Sequence, residues 1–118
     1  MRSDLALFVV VALTGLACGD STDSSSTDLC AGSGAAVTVT AADNYTFTPA
    51  SITVSSGQSV CWQNTGHLNH TVIDAGGRFS FSLPAGQTVV YTFLGTQPSY
   101  VYRCGIHSTM TGTTTVNP

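Results

Sequence analysis

The chain has 118 residues, which is enough for one domain with a modest core. Only 8% of the residues are charged, as six Asp and three Arg, and the formal net charge is −3. From residue 31 onward only two Asp and two Arg remain, so the C-terminal part is close to neutral. Nucleic-acid binding normally requires a basic patch, and this composition excludes that class of function.

The N-terminus has the pattern of a secretory signal. A positively charged start precedes the apolar run LALFVVVALT (residues 5–14), which is too short to span a bilayer. The following GLAC ends at Cys18 and resembles a bacterial lipoprotein signal, in which cleavage leaves the Cys as the lipid-bearing N-terminus. Gly15 stands where that motif usually has Leu, so ordinary cleavage before Cys18 is the alternative. We assign residues 1–17 as a signal peptide and expect an exported protein of the periplasm or cell envelope, membrane-anchored through Cys18.

A change of composition separates a tether from a folded domain. Residues 18–36 are rich in Ser, Asp, Gly and Thr and are interpreted as a solvated tether. From residue 37 onward, short runs rich in Val, Thr, Tyr and Phe alternate with Gly, Pro, Asn and Ser, and no segment has a helical period. Six to eight short strands predict an all-β domain over residues 37–118, a Greek-key sandwich or barrel.

Side-chain alternation along two strand-like runs indicates which residues face the core. In SVCWQN, Val60 and Trp62 share a parity, so if they point inward, then Cys61 points outward. In SYVYRC, Tyr102 and Cys104 share a parity. If the tyrosine lies in the core, Cys104 continues the inner face to the end of the strand.

The stretch CGIHSTM places a thiol, an imidazole and a thioether at three-residue spacing, as Cys104, His107 and Met110. Structural zinc sites take Cys and His and normally need four good ligands. Two His and one Cys with a weak axial Met instead form copper electron-transfer sites. A second His is therefore required. Of the two remaining, we choose His70 over His67, because His70 directly precedes the strand-like TVID.

From residue 37 to 116 the sequence resembles a cupredoxin, close to the plastocyanin, amicyanin and pseudoazurin group of small blue copper proteins. YTFTPASITVSSGQSVCWQN resembles the Phe-x-Pro, Gly and Val-x-Trp-x-Asn pattern of that family. HTV resembles its first-ligand motif, and YVYRCGIHSTMTG resembles its Tyr-x-Tyr-x-Cys…His…Met-x-Gly terminus. The resemblance implies that one copper ion is bound by His70, Cys104, His107 and Met110.

The resemblance also implies which residues lie next to the ligands. These are Asn64, Thr71 and Gly105. Thr71 stands where many members of the family have an Asn that helps to tie the two ligand loops together.

The function implied by the resemblance is one-electron transfer between Cu(I) and Cu(II), with no substrate chemistry, so we expect a protein that is not an enzyme. His107 should be partly exposed and serve as the electron entry or exit point. A flat patch formed by Gly66, Leu68, Gly105 and Ile106 would surround it and receive a redox protein in a transient contact. We expect a monomer that contacts a membrane only through its anchor and binds no nucleic acid.

Two other functions are weighed against electron transfer. A copper carrier or sensor is the alternative, but carriers generally favour exposed ligands, whereas the expected thiolate is anchored in the core. A copper oxidase or reductase would need a second copper centre built from additional histidines. Only His67 is spare.

The four cysteines divide by position. Cys18 belongs to the signal boundary and Cys104 to the expected metal site, which leaves Cys30 and Cys61 as a pair in an exported protein. If Cys61 points outward, Cys30 in the incoming tether could cross the sheet and bond to it. A disulfide that pins the start of the domain is therefore our hypothesis, with two free thiols as the alternative.

Overall fold

The structure, a computed structural model, describes residues 28–95 and 97–118, so the predicted signal peptide and the proposed lipidation site Cys18 lie outside the described residues. The described residues form nine strands and no helix, one strand more than the upper end of our expectation. The predicted all-β class is confirmed, and the strands form a sandwich of two sheets rather than a closed barrel. Within this part of the chain, no helix is long and apolar enough to cross a membrane.

The strands follow one another closely along the chain. They are β1 (Val37–Ala42), β2 (Thr46–Thr48), β3 (Ser51–Ser55), β4 (Ser59–Asn64), β5 (His70–Asp74), β6 (Ser80–Leu83), β7 (Thr88–Thr92), β8 (Ser99–Arg103) and β9 (Thr111–Asn117). The first sheet has the order β2-β1-β4-β7 and the second the order β3-β9-β8-β5-β6.

The chain passes repeatedly from one sheet to the other. Only three neighbouring pairs are consecutive hairpin partners, β1–β2, β5–β6 and β8–β9. The pairs β1–β4 and β3–β9 are parallel, and the second joins an early strand of the domain to the last one. A sequence pattern typical of antiparallel hairpins does not predict such long-range parallel pairs.

The core lies between the inner faces of the two sheets and is centred on Trp62, which is fully buried. Its ring contacts Phe79, Phe93 and Tyr102, with centroids 6.0, 6.3 and 5.4 Å away. The alternation predicted the inward faces correctly, since Val60, Trp62, Tyr102 and Cys104 all belong to the core cluster. Large aromatic side chains supply most of the buried apolar area in such a small domain.

The opposite face of β4 is also buried, because the segment that contains Leu29 and Cys30 lies against it. Cys61 is fully buried yet outside the core cluster, and it forms a disulfide with Cys30 (S–S 1.99 Å). The backbone N–H groups of Leu29 and Cys30 donate to Oε1 of Gln63 at 2.7 and 3.3 Å. The proposed disulfide is confirmed. Leu29 and Cys30 belong to the segment that we interpreted as a solvated tether, and they are packed on the sheet instead.

We predict that removing the disulfide destabilises the domain by roughly 2–4 kcal/mol, because it closes a loop of 31 residues in the unfolded chain. Denaturant unfolding of wild type and of a Cys30→Ser/Cys61→Ala double variant would measure this difference. Wild type with a reductant should unfold at the denaturant concentration of the double variant. Equal midpoints with and without reductant would contradict the prediction.

Candidate metal centre

The four predicted donors come together because β5 and β8 are antiparallel neighbours. Ile73 pairs with Arg103 and Asp74 with Tyr102, so the first residues of β5 lie beside the residues that follow β8. His70 is the first residue of β5, and Cys104 directly follows β8. One strand pairing therefore brings together two donors that are 34 residues apart in sequence.

Three donor atoms form a small triangle. The Sγ of Cys104 lies 3.6 Å from Nδ1 of His107 and 3.9 Å from Nδ1 of His70, and the two Nδ1 atoms are 3.2 Å apart. These three side chains form the one group of His, Cys, Asp and Glu among the described residues that could hold a metal ion. Donors placed about 2.1 Å from a central ion in a trigonal plane would be about 3.6 Å apart, so the triangle has the size that one ion requires.

Met110 completes the set from the far side of the loop between β8 and β9. The loop closes on itself, because the N–H of Cys104 donates to the carbonyl of Met110 and the N–H of Met110 donates to the carbonyl of His107. Met110 is fully buried and lies close to the other three donors. Thiolate, two imidazoles and a thioether are a soft set that suits copper better than zinc.

The surroundings of Cys104 favour its thiolate. Burial by itself raises the pKa of this thiol, but the backbone N–H groups of Thr71, Ile106 and His107 and the hydroxyl of Thr71 act on the sulfur and outweigh burial. The pKa of Cys104 is therefore below its usual value. The thiolate is the form that binds a metal ion.

His70 is held in its neutral form. Burial, and then the neighbouring His107, lower the pKa of His70, while Asp43 and the backbone of Ala42 act in the opposite direction. Its Nδ1 faces the triangle, and its Nε2 is buried. A neutral imidazole is the form that donates to a metal ion.

Thr71 bridges the two ligand loops. Its hydroxyl accepts a hydrogen bond from the N–H of Gly105 at 2.6 Å, and its own N–H lies 3.4 Å from the sulfur of Cys104. A side chain at Gly105 would clash with Ile73, since an added Cβ would lie 2.7 Å from its Cδ1. Thr71 thus links the two ligand loops, which is the role that the resemblance assigns to an Asn in many cupredoxins.

Asn64 fastens the loop that precedes His70. This fully buried amide donates to the carbonyls of Leu68 (2.7 Å) and Leu83 (2.9 Å), and it accepts from the N–H of Gly66 (3.0 Å). Leu83 is the residue paired with His70 across β5 and β6. Thr71 and Gly105 thus lie beside Cys104, whereas Asn64 acts on the loop before His70 rather than on the donors themselves.

His67 lies outside the donor triangle, with 95% of its side chain exposed. The carboxylate of Asp43 accepts hydrogen bonds from the backbone N–H groups of His67 and Leu68, and an added Cβ at Gly66 would collide with this carboxylate. The same N–H groups, Leu68 before His67, lower the pKa of Asp43. This contact could not be predicted from the sequence, because it joins loops 24 residues apart without any motif.

The contact of Tyr45 with the metal centre could likewise not be predicted from the sequence. Tyr45 lies in the β1–β2 turn, and its ring centroid is 4.4 Å from that of His107. In the sequence it stands in an ordinary strand-like run, and no pattern distinguishes it. Only the folded turn places it against the metal centre.

We predict that Asn64→Ala lowers the free energy of unfolding by about 2–4 kcal/mol, because two carbonyls and one N–H lose a buried partner. Asn69→Ala is the matched control. Asn69 is exposed and accepts only one hydrogen bond, from Ala85, so its loss should lower the free energy by less than about 1 kcal/mol. Denaturant unfolding of the metal-free proteins measures both. Equal effects of the two substitutions would contradict the assigned role of Asn64.

No protein-family model and no curated protein sequence matches the chain. Solved structures do. A purple cupredoxin from Nitrosopumilus maritimus is 21% identical with a TM-score of 0.61, over 69% of this chain and 99% of that one. The Cu(I) form of an amicyanin variant is 28% identical with a TM-score of 0.61, over 71% of this chain and 83% of that one.

A third likeness is to part of a larger protein. The Cu-containing nitrite reductase from Thermus scotoductus SA-01 is 26% identical with a TM-score of 0.59, and this chain covers 22% of it. The sandwich, the donor triangle and these likenesses agree with one another. The chain has a cupredoxin-like fold, is similar to small blue copper proteins, and has a site that fits one copper ion.

Proposed function

We propose that the protein transfers single electrons through a mononuclear type 1 copper site. The observation that carries the proposal is a donor set of one thiolate, two imidazoles and a thioether with uneven exposure. Cys104, Met110 and His70 are at most 1% exposed, whereas His107 is only half-buried. Such a site keeps water from the sulfur and leaves one ligand edge within reach of a partner.

The chain's own residues would hold and tune the ion. His70, Cys104 and His107 would provide the equatorial donors and Met110 the weak axial one. When bound, copper would supply a centre that cycles between Cu(I) and Cu(II). The closed loop and the Thr71 bridge hold the donors in one arrangement, and a fixed arrangement suits electron transfer because little has to move.

The surface around His107 supports transient docking of a redox protein. Ile106 is 56% exposed and Leu68 is 38% exposed. Gly66 and Gly105 add no side chain to this surface. Redox encounters of this kind typically bury less than about 1,200 Å². This is the patch expected from the sequence, and we propose it as the docking surface of a monomer.

The few charges of the domain provide little electrostatic steering of a docking partner. Asp74 is buried and is paired with Arg78 at 3.2 Å, so the two charges largely cancel. Of the other charges from residue 31 onward, only Asp43 and Arg103 remain. We therefore propose that partner reduction depends only weakly on salt.

Export and lipid anchoring are part of the proposal. The Cys30–Cys61 disulfide supports an oxidising compartment, as the periplasm or cell envelope is, because disulfides rarely persist in the cytosol. Anchoring through Cys18 rests on the sequence signal alone. A mass measurement of the protein isolated from membranes would test it, since a lipidated Cys18 adds the mass of its acyl chains.

The competing functions are less well supported. Burial of three of the four donors disfavours a copper carrier, whose ligands need to be accessible for exchange. The likeness to part of a nitrite reductase raises the possibility of an enzyme. The chain has three histidines, two of them in the donor triangle, and His67 alone does not supply a second copper centre.

We predict that the copper-loaded protein undergoes reversible one-electron oxidation and reduction in voltammetry. Ile106→Asp should slow electron self-exchange by about tenfold, because two copies would then bring like charges into contact. Leu94→Asp is the control, since Leu94 is 69% exposed. The backbone of the preceding Phe93 forms hydrogen bonds with Gly57 and Gln58, away from the site.

Two results would contradict the proposal. One is rapid removal of copper by a Cu(I) chelator together with irreversible voltammetry, which would favour a carrier. The other is equal slowing of self-exchange by both Asp variants, which would show that the surface near His107 is not the contact.

A further inference from the structure

Tyr45 is in a backbone conformation that its side chain does not favour. Its φ is +66°, and it is the only residue other than glycine with a positive φ among the described residues. Its N–H donates to the carbonyl of Ala42, which closes the β1–β2 turn. The left-handed conformation suits Gly or Asn and is unusual for a bulky residue. The local backbone therefore does not explain a tyrosine at this position.

The side chain gives the explanation. The ring of Tyr45 lies over that of His107, with centroids 4.4 Å apart and planes inclined by 33°. The ring of His70 meets His107 edge-on, with centroids 5.0 Å apart at 64°. The imidazole of His107 thus contacts the rings of both Tyr45 and His70. Tyr45 itself is 46% exposed, so it is an outward-facing aromatic surface at the metal end.

The turn that carries Tyr45 is fastened to the neighbouring loop. Asp43 accepts hydrogen bonds from the N–H groups of His67 and Leu68 at 2.9–3.1 Å. The hydroxyl of Thr46 donates to the side chain of Asn44 at 2.7 Å. These contacts fix the turn without the help of His107, so the backbone position from which the Tyr45 ring projects does not depend on the residue it covers.

We propose that Tyr45 is a positioning residue, which holds the His107 imidazole toward Cys104 before a metal ion arrives. This proposal does not rest on the proposed electron-transfer function. For His107 to swing away from the triangle, its contact with Tyr45 must be broken. The stack therefore restrains the one donor that is neither on a strand nor fully buried.

Three substitutions separate the ring from the backbone. Tyr45→Gly and Tyr45→Asn remove the ring and suit the left-handed conformation. Tyr45→Phe keeps the ring. Leu94→Ala is a control for loss of an exposed apolar side chain elsewhere.

Two measurements on the metal-free proteins test the positioning role. The Hα–Hβ couplings of His107 in NMR should indicate one χ1 rotamer in wild type, Tyr45→Phe and Leu94→Ala, and averaged rotamers in Tyr45→Gly and Tyr45→Asn. The melting temperatures of the Gly and Asn variants should stay within about 5 °C of wild type, because a relaxed backbone offsets the lost contact.

One measurement on the loaded protein completes the test. Removal of Cu(I) by bathocuproine disulfonate should be roughly two- to tenfold faster in the Gly and Asn variants, the factor expected from one aromatic contact. The Phe variant should release Cu(I) at the wild-type rate.

Several results would overturn the proposal. A single His107 rotamer with unchanged Cu(I) release in the Gly and Asn variants would show that Tyr45 does not position His107. A Phe variant that behaves like the Gly variant would show that the ring is not the cause. A melting temperature lowered by much more than 5 °C would assign Tyr45 to general packing. Wild type that binds no copper would overturn the proposed function instead, and the metal-free couplings would still test the positioning role.

Discussion

The antiparallel pairing of β5 with β8 is the constraint on which the metal centre depends. It fixes the start of one strand beside the end of the other, so His70 and Cys104 meet without any loop having to find its partner. The same pairing presents the N–H and hydroxyl of Thr71 to the sulfur, and these donors favour the thiolate despite its burial. If the register slipped by one residue, His70 would face the opposite side of the sheet.

The rest of the site supports the groups that the pairing places. The loop from Cys104 to Met110 closes through two backbone hydrogen bonds, and the buried amide of Asn64 holds the segment before His70. A buried polar group is stabilising only when all its partners are present, so these contacts specify one arrangement of the donors. Leu29 and Cys30 cover the outer face of β4, where a disulfide to Cys61 holds this segment.

The three donors of CGIHSTM and the core faces followed from the sequence because they depend on short-range patterns, and His70 followed because a site of this kind requires a second His. Alternation identified Trp62 and Cys104 as inward and Cys61 as outward, and the spacing of CGIHSTM indicated a soft metal site. The contact of Asp43 with the loop at residues 66–68 and the stacking of Tyr45 on His107 could not be predicted in this way. Both are made between turns distant in sequence, by residue types that are common in turns and strands. The packing of Leu29 and Cys30 on β4 was likewise not predicted, because the composition of residues 18–36 is that of a solvated tether.

The central claim is that His70, Cys104, His107 and Met110 bind copper through a thiolate in the core. Its most direct test is the visible absorption and EPR spectrum after addition of one equivalent of Cu(II). We expect an intense thiolate-to-copper band with a narrow copper hyperfine splitting. The band should be lost in Cys104→Ser and kept in His67→Ala. A colourless protein, or weak tetragonal Cu(II) features that persist without Cys104, would contradict the account.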